Sequence, residues 1–176
     1  MDVIREVTAD STEHGRIPES VVKSWMSSQD PDVLGATYVL LTSSIHAHRI
    51  DPPLTFDEIF EFLLRYYEWC LRTDPKSQWA NSRYSAGWDL AGWFISLWDR
   101  HVDEKYIDRS KDLLERLYRT EGPELQRCIE HAILEHLFER KEIRKIFDAW
   151  RNDPGLKPAY DEAALWVAHG GTSPLS

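Results

Sequence analysis

Signatures of chemistry are missing from this sequence. It has no nucleophile elbow, no phosphate-binding glycine loop and no strong metal motif, which removes the usual signs of hydrolase, nucleotide and zinc chemistry. No run approaches the roughly 18 apolar residues that a membrane span needs. The opening MDVIREVTAD has acids and no apolar core, so no secretory signal is expected in it. Cysteine is scarce. Cys70 and Cys128 fall on the apolar faces of different expected helices, the place of buried thiols in a reducing cytosol, with a single bridge between them as the alternative. Alternating apolar and polar runs are missing too, so no strand is predicted. Basic residues are few in the first third. Residues 1–62 hold four Lys or Arg (Arg5, Arg16, Lys23, Arg49) against eleven Asp or Glu, a net −7, whereas the other 114 residues net −2. Phosphate backbones are bound through Lys/Arg patches, so no nucleic acid is expected as partner.

Aromatic residues are plentiful. Eight Trp, seven Tyr and six Phe within 42% hydrophobic content describe a chain that packs a core. At 176 residues it is long enough to bury about 70% of the surface its unfolded form exposes. One all-α domain over 1–176 is expected, with 1–16 and 170–176 frayed.

Helical spacing supplies the elements. A first helix is predicted from Pro18, burying Val21, Val22, Trp25 and Met26. Asp30 caps a second that starts at Pro31, with Leu34, Thr37, Tyr38, Leu41 and Ile45 on one face. Thr55-Phe-Asp-Glu58 reads as a capping box for a third, with Leu54 placed to staple against Ile59. Its apolar face is Phe56, Ile59, Phe60, Leu63, Leu64, Tyr67 and Leu71; Glu61–Arg65 and Glu68–Arg72 are i, i+4 pairs opposite. The fourth helix, about 82–100, is apolar nearly all round, so Trp88, Phe94 and Trp98 are expected in the core with Leu64. A fifth runs from Asp103 to Arg119, with Ile107, Leu114, Leu117 and Tyr118 inward. Gly122–Pro154 then reads as two helices folded back on each other. Leu125, Cys128, Ile129, Ala132, Ile133 and His136 line the first, and Ile143, Ile146, Phe147 and Trp150 the second. A short closing helix carries Tyr160, Ala163, Ala164 and Val167. About eight antiparallel helices make either an irregular bundle or HEAT-like stacked pairs (18–49, 55–101, 104–138, 140–168), without self-similarity at a fixed period.

No catalytic constellation, metal site or cofactor is expected. His48 and His136 project onto apolar helix faces and His101 lies near a helix end. Read singly, each is a packed histidine; read together, they make the ligand set of a metal-dependent helical-bundle enzyme of the DinB kind. His131 and Glu135 are i, i+4 neighbours on an exposed side. Asp89, the one acid within the tryptophan-rich helix, is read as facing that helix's least covered side or pairing with Arg83, with an acid/base role as the alternative.

The "LEHLFE" turn, the "F-x-x-W" helix end and the "DP-x-L-x-x-A" run that leads into the last helix carry a resemblance. Over about a quarter of the chain, they resemble small helical bacterial immunity proteins of uncharacterised families. That resemblance implies a cytoplasmic, non-catalytic protein that binds and neutralises a cognate toxin; an adaptor of the helical-repeat type is the other non-enzymatic reading. An acidic face suits a basic toxin domain. Asp57, Glu58 and Glu61 share the polar side of a well-capped helix and Asp51 lies just before it, which makes these four the candidate partner-binding residues. Glu58 is partly occupied by the capping box, so Asp57 and Glu61 lead.

Overall fold

Proline and short acids set where the helices begin. In a computed structural model that describes residues 2–8 and 15–170, the chain divides into two compact units, Met1–Ser82 and Arg83–Ser176. The side chains of Ser44 and Ile45, and the tail 171–176, lie outside the described residues, and with them the expected inward position of Ile45 and the fraying after Gly170.

In the first unit, helices α1 (Val3–Thr8), α2 (Glu19–Met26), α3 (Pro31–Thr42), α4 (Ser44–Ala47) and α5 (Phe56–Thr73) follow in order. The stretch expected to fray contains α1, and there the helix buries Val3. It also buries Glu6, because Arg49 reaches back to pair with the Glu6 carboxylate and donates to the Glu6 carbonyl at 3.1 Å. Asp30 caps α3 by accepting from the Asp32 and Val33 amides, with Pro31 in the first turn as predicted. The second helix stops earlier than expected: Ser43 is extended and separates α3 from α4. Ile17–Pro18 (β1) and Ile50–Asp51 (β2) form a two-residue parallel pair, the one β ladder among the described residues.

The capping box at Thr55 is formed in both directions. The Thr55 hydroxyl accepts from the Glu58 amide and the Glu58 carboxylate accepts from the Thr55 amide at 2.8 Å. At the other end Asp74 (φ +46°) turns left-handed and returns its amide to the Cys70 carbonyl. Phe60, Leu63, Tyr67 and Leu71 are buried as expected, and so are Phe62, Tyr66 and Cys70, which widens the apolar arc of α5. Three members of the expected face depart from it, Ile59 among them as a half-buried side chain. Phe56, in the first turn and beyond the packed part of the helix, is 45% exposed, and Leu64 is half-buried.

The second unit holds α6 (Arg83–Asp99), α7 (Glu104–Thr120), α8 (Pro123–Cys128), a π-helix (Ile129–Leu134), α9 (Glu135–Phe138), α10 (Lys141–Ile146), a 3-10 turn (Asp148–Asn152) and α11 (Lys157–Ala168). The all-α reading therefore holds, and no described helix is long and apolar enough to cross a membrane. The expected helix pair 55–101 straddles the boundary between the units.

Helix α6 packs through its small residues rather than its tryptophans. Ala86, Gly87, Leu90, Ala91, Phe94 and Leu97 are buried, and a Cβ at Gly87 would lie 2.9 Å from the Ala132 Cβ of the π-helix. That close approach turns the opposite side outward. Trp88, expected in the core, is 56% exposed; Trp98, at the last turn of α6, is half-buried. The π segment also corrects the reading of Pro123–Phe138 as one α-helix. The Glu135 amide donates to the Glu130 carbonyl, five residues back, so each residue turns through less than the α-helical angle. Leu137 thereby takes the buried place that α-helical spacing gave to His136, which is half-exposed.

Candidate functional site

The four acids singled out in the sequence lie in the first unit, and they are not equivalent. Asp57 and Glu61 are exposed on consecutive turns of α5. Glu58 is engaged on two sides. Besides closing the capping box, it meets the Lys23 ammonium at 2.6 Å, and Lys23 also meets Glu19 at 2.5 Å. Lys23, then the Thr55 amide and hydroxyl, hold the Glu58 carboxyl down at about 2, while Glu19 and Glu58 raise Lys23. Asp51 ends β2, in register with Pro18, and sits 3.3 Å from the Arg16 guanidinium, with its side chain half exposed. Glu58 and Asp51 thus stand against cations of the same unit.

The histidines are spread. His48 is exposed, against its expected place on an apolar face, because the helix it was assigned to ends at Thr42 and it follows α4. His101 is exposed at a left-handed position (φ +52°) just after α6, and His136 stands 3.8 Å from Glu139. Among the described residues no cluster of three His, Cys, Asp or Glu side chains is placed to hold a metal. His131 is on the exposed side as expected, with Nδ1 2.7 Å from Oε1 of the buried Glu135. Asp89 is half-buried, and Cys70 and Cys128 are free, buried thiols.

Two openings among the described residues went unread, the first apolar and the second part polar. One, in the second unit, is an open groove along Trp88, Gly92 and Ile95 of α6, bordered by His136 and Glu139. The other is a cleft of about 260 Å³ in the first unit, bounded by Met26, Leu34, Phe62, Arg65, Tyr66 and Trp69. Its signal was available in the sequence: Phe62, Tyr66 and Trp69 repeat at i, i+4, i+7 along α5, a second aromatic stripe beside the apolar face. The Tyr66 hydroxyl donates to the Asn81 side chain and accepts from its amide, both at 3.0 Å, and burial pushes that phenol well above its ordinary range.

No protein-family model, no curated protein and no solved structure matches this chain.

Proposed function

We propose that the chain acts by binding another protein, as a cytoplasmic immunity-type inhibitor that neutralises a cognate toxin domain carrying a basic surface. The supporting observation is the placement of Asp57 and Glu61. They are exposed one turn apart on an 18-residue helix fixed at its start by a capping box and at its end by a left-handed cap. Charges held on a rigid element lose less entropy on docking than charges on a mobile loop, and opposite charge accelerates encounter. Lys23 and Arg16 stand against Glu58 and Asp51, so the reading leads with Asp57 and Glu61 for their exposure on the capped helix.

A second reading, an adaptor that docks through an apolar surface, draws on the exposed Trp88 and the groove beside it. Salt separates the two. Co-expression with a cognate toxin domain should restore bacterial growth, and the purified pair should associate faster at low salt than at high. Asp57→Lys/Glu61→Lys should slow association about tenfold or more at low salt and flatten the salt slope. Unchanged rates and slopes would remove the acidic face from the interface. If Trp88→Ala abolished the same association, the adaptor-like surface would replace it.

A further inference from the structure

The cleft on α5 has a size, a lining and a charge that together select a ligand. Its roughly 260 Å³ exceeds the ~150 Å³ that accommodates a benzene ring and falls short of the ~300–1,000 Å³ of sites for drug-sized molecules. It has room for one ring with a short polar arm. The lining favours a flat ring. Phe62 and Tyr66 stack at 6.0 Å to form the nearly sealed floor, Tyr38 stacks on Tyr66 at 4.7 Å behind it, and Trp69 stands 6.2 Å from Tyr66 as a half-buried wall. The two hydrogen bonds between Tyr66 and Asn81 hold that ring in place, so the floor is formed before any ligand arrives.

Arg65 is the charged group of the cleft. The sequence paired it with Glu61, one turn away. Instead the guanidinium donates to the Met26 carbonyl at the end of α2 and stands over the Phe62 ring at 5.9 Å. No carboxylate of the described residues ion-pairs with it. A guanidinium has five N–H donors in a planar fork, and one hydrogen bond to a carbonyl leaves most of them unspent. The serines at the rim are committed elsewhere: the Ser27 hydroxyl donates to the Lys23 carbonyl, and the Ser28 oxygen accepts from the Asp30 amide. The charge that the cleft offers a ligand is therefore positive, inside a unit whose surface is otherwise acidic.

We infer that this cleft binds a small aromatic carboxylate, its ring against Trp69 and the Phe62–Tyr66 floor and its carboxylate in the Arg65 fork. The pairing is charge-assisted and two-pronged, the geometry for which arginine surpasses lysine. The inference is independent of the toxin reading, since Asp57 and Glu61 do not line the cleft.

Three probes of equal size test it on the full chain: phenylacetate, its neutral amide phenylacetamide and the cation benzylamine. Binding is followed by calorimetry and by the amide and indole signals of an NMR spectrum. Phenylacetate should saturate the Trp69 indole signal and the amides of residues 27–29, binding more tightly than the amide and much more tightly than benzylamine. Arg65→Gln should weaken phenylacetate about tenfold or more and phenylacetamide far less. Arg65→Lys, which keeps the charge and loses the fork, should fall between. Failure of phenylacetate to saturate these signals would overturn the inference. So would equal binding of benzylamine, or equal binding of phenylacetate to the Arg65→Gln chain.

Discussion

The same substitution, glycine to alanine in a helix interior, should have opposite consequences at two places in this chain. An added methyl normally helps a helix, by about 0.8–1.0 kcal/mol, because alanine loses less backbone freedom on folding. At Gly92, in the middle of α6, nothing lies within 4 Å of where the Cβ would stand, so Gly92→Ala should stabilise by about 0.5–1 kcal/mol. At Gly35, in the middle of α3, the Cβ would lie 2.3 Å from the Trp79 carbonyl carbon and 2.4 Å from the Ala80 nitrogen. Both obstacles are backbone, and that backbone is pinned. The Ser77 oxygen accepts from the Trp79 and Ala80 amides at 3.0 and 2.8 Å, and its hydroxyl donates to Asp32 of α3 at 2.6 Å. Overpacking costs about 1–3 kcal/mol where side chains can adjust, and more where main chain must move. Set against the helical gain, Gly35→Ala should lose about 2 kcal/mol or more net. Urea denaturation reads the difference as midpoints displaced to either side of wild type with unchanged slopes. A Gly35→Ala chain as stable as wild type would show that the 77–80 segment yields, and the close approach would then contribute nothing to stability.

Two further measurements bear on the core and on the acidic helix. Phe94→Ala, at a fully buried site of α6, should cost about 3–5 kcal/mol, whereas Trp88→Ala should change stability by about 0.5 kcal/mol or less; comparable losses would place Trp88 in the core after all. Glu58 titrates at about 2 in the folded chain against an ordinary value of 4.5, so its contribution is complete above about pH 4.5 and is lost as pH falls toward 2. The gap in urea midpoint between wild type and Glu58→Gln should be constant near neutrality and close over that acidic range. A gap that survived to pH 2 would assign the stabilisation to something other than the carboxylate.

What was legible in the sequence was whatever depended on neighbours along the chain. The Asp30 cap, the capping box at Thr55 and Glu58, proline in the first turn of α3 and of α8, and the Glu68–Arg72 pair at 3.4 Å are all settled within a few residues. Burial was legible where one face of a helix was plainly apolar, as in α7, where Ile107, Leu114, Leu117 and Tyr118 are inside. It was not legible in α6, apolar on every side. There hydrophobicity does not choose a face, and the choice falls to Gly87, which admits the π-helix closely enough to send Trp88 outward. Of the candidate acids, sequence distinguished Glu58 through its capping box but not through Lys23, thirty-five residues earlier and brought to it by the packing of the unit. The cleft beside Arg65 stayed hidden for the same reason. Its aromatic stripe is local, but its volume depends on where the end of α2 comes to rest.

The π-helical stretch also determines which kinds of sequence change the second unit can absorb. Substitutions within Ile129–Leu134 leave the phase of the helix untouched, so Leu134, Leu137 and Phe138 keep their inward places. Length is a different variable. Removing one residue from this stretch lets it close into ordinary α-helix with the downstream phase kept, whereas the same deletion from an ordinary α-helix turns everything after it by about 100°. Leu137 and Phe138 would keep their inward places and His136 would stay outside. The stretch can therefore absorb the loss of its one extra residue, whereas exchanges at the buried Ile129, Ala132, Ile133 and Leu134 fall on the interior itself.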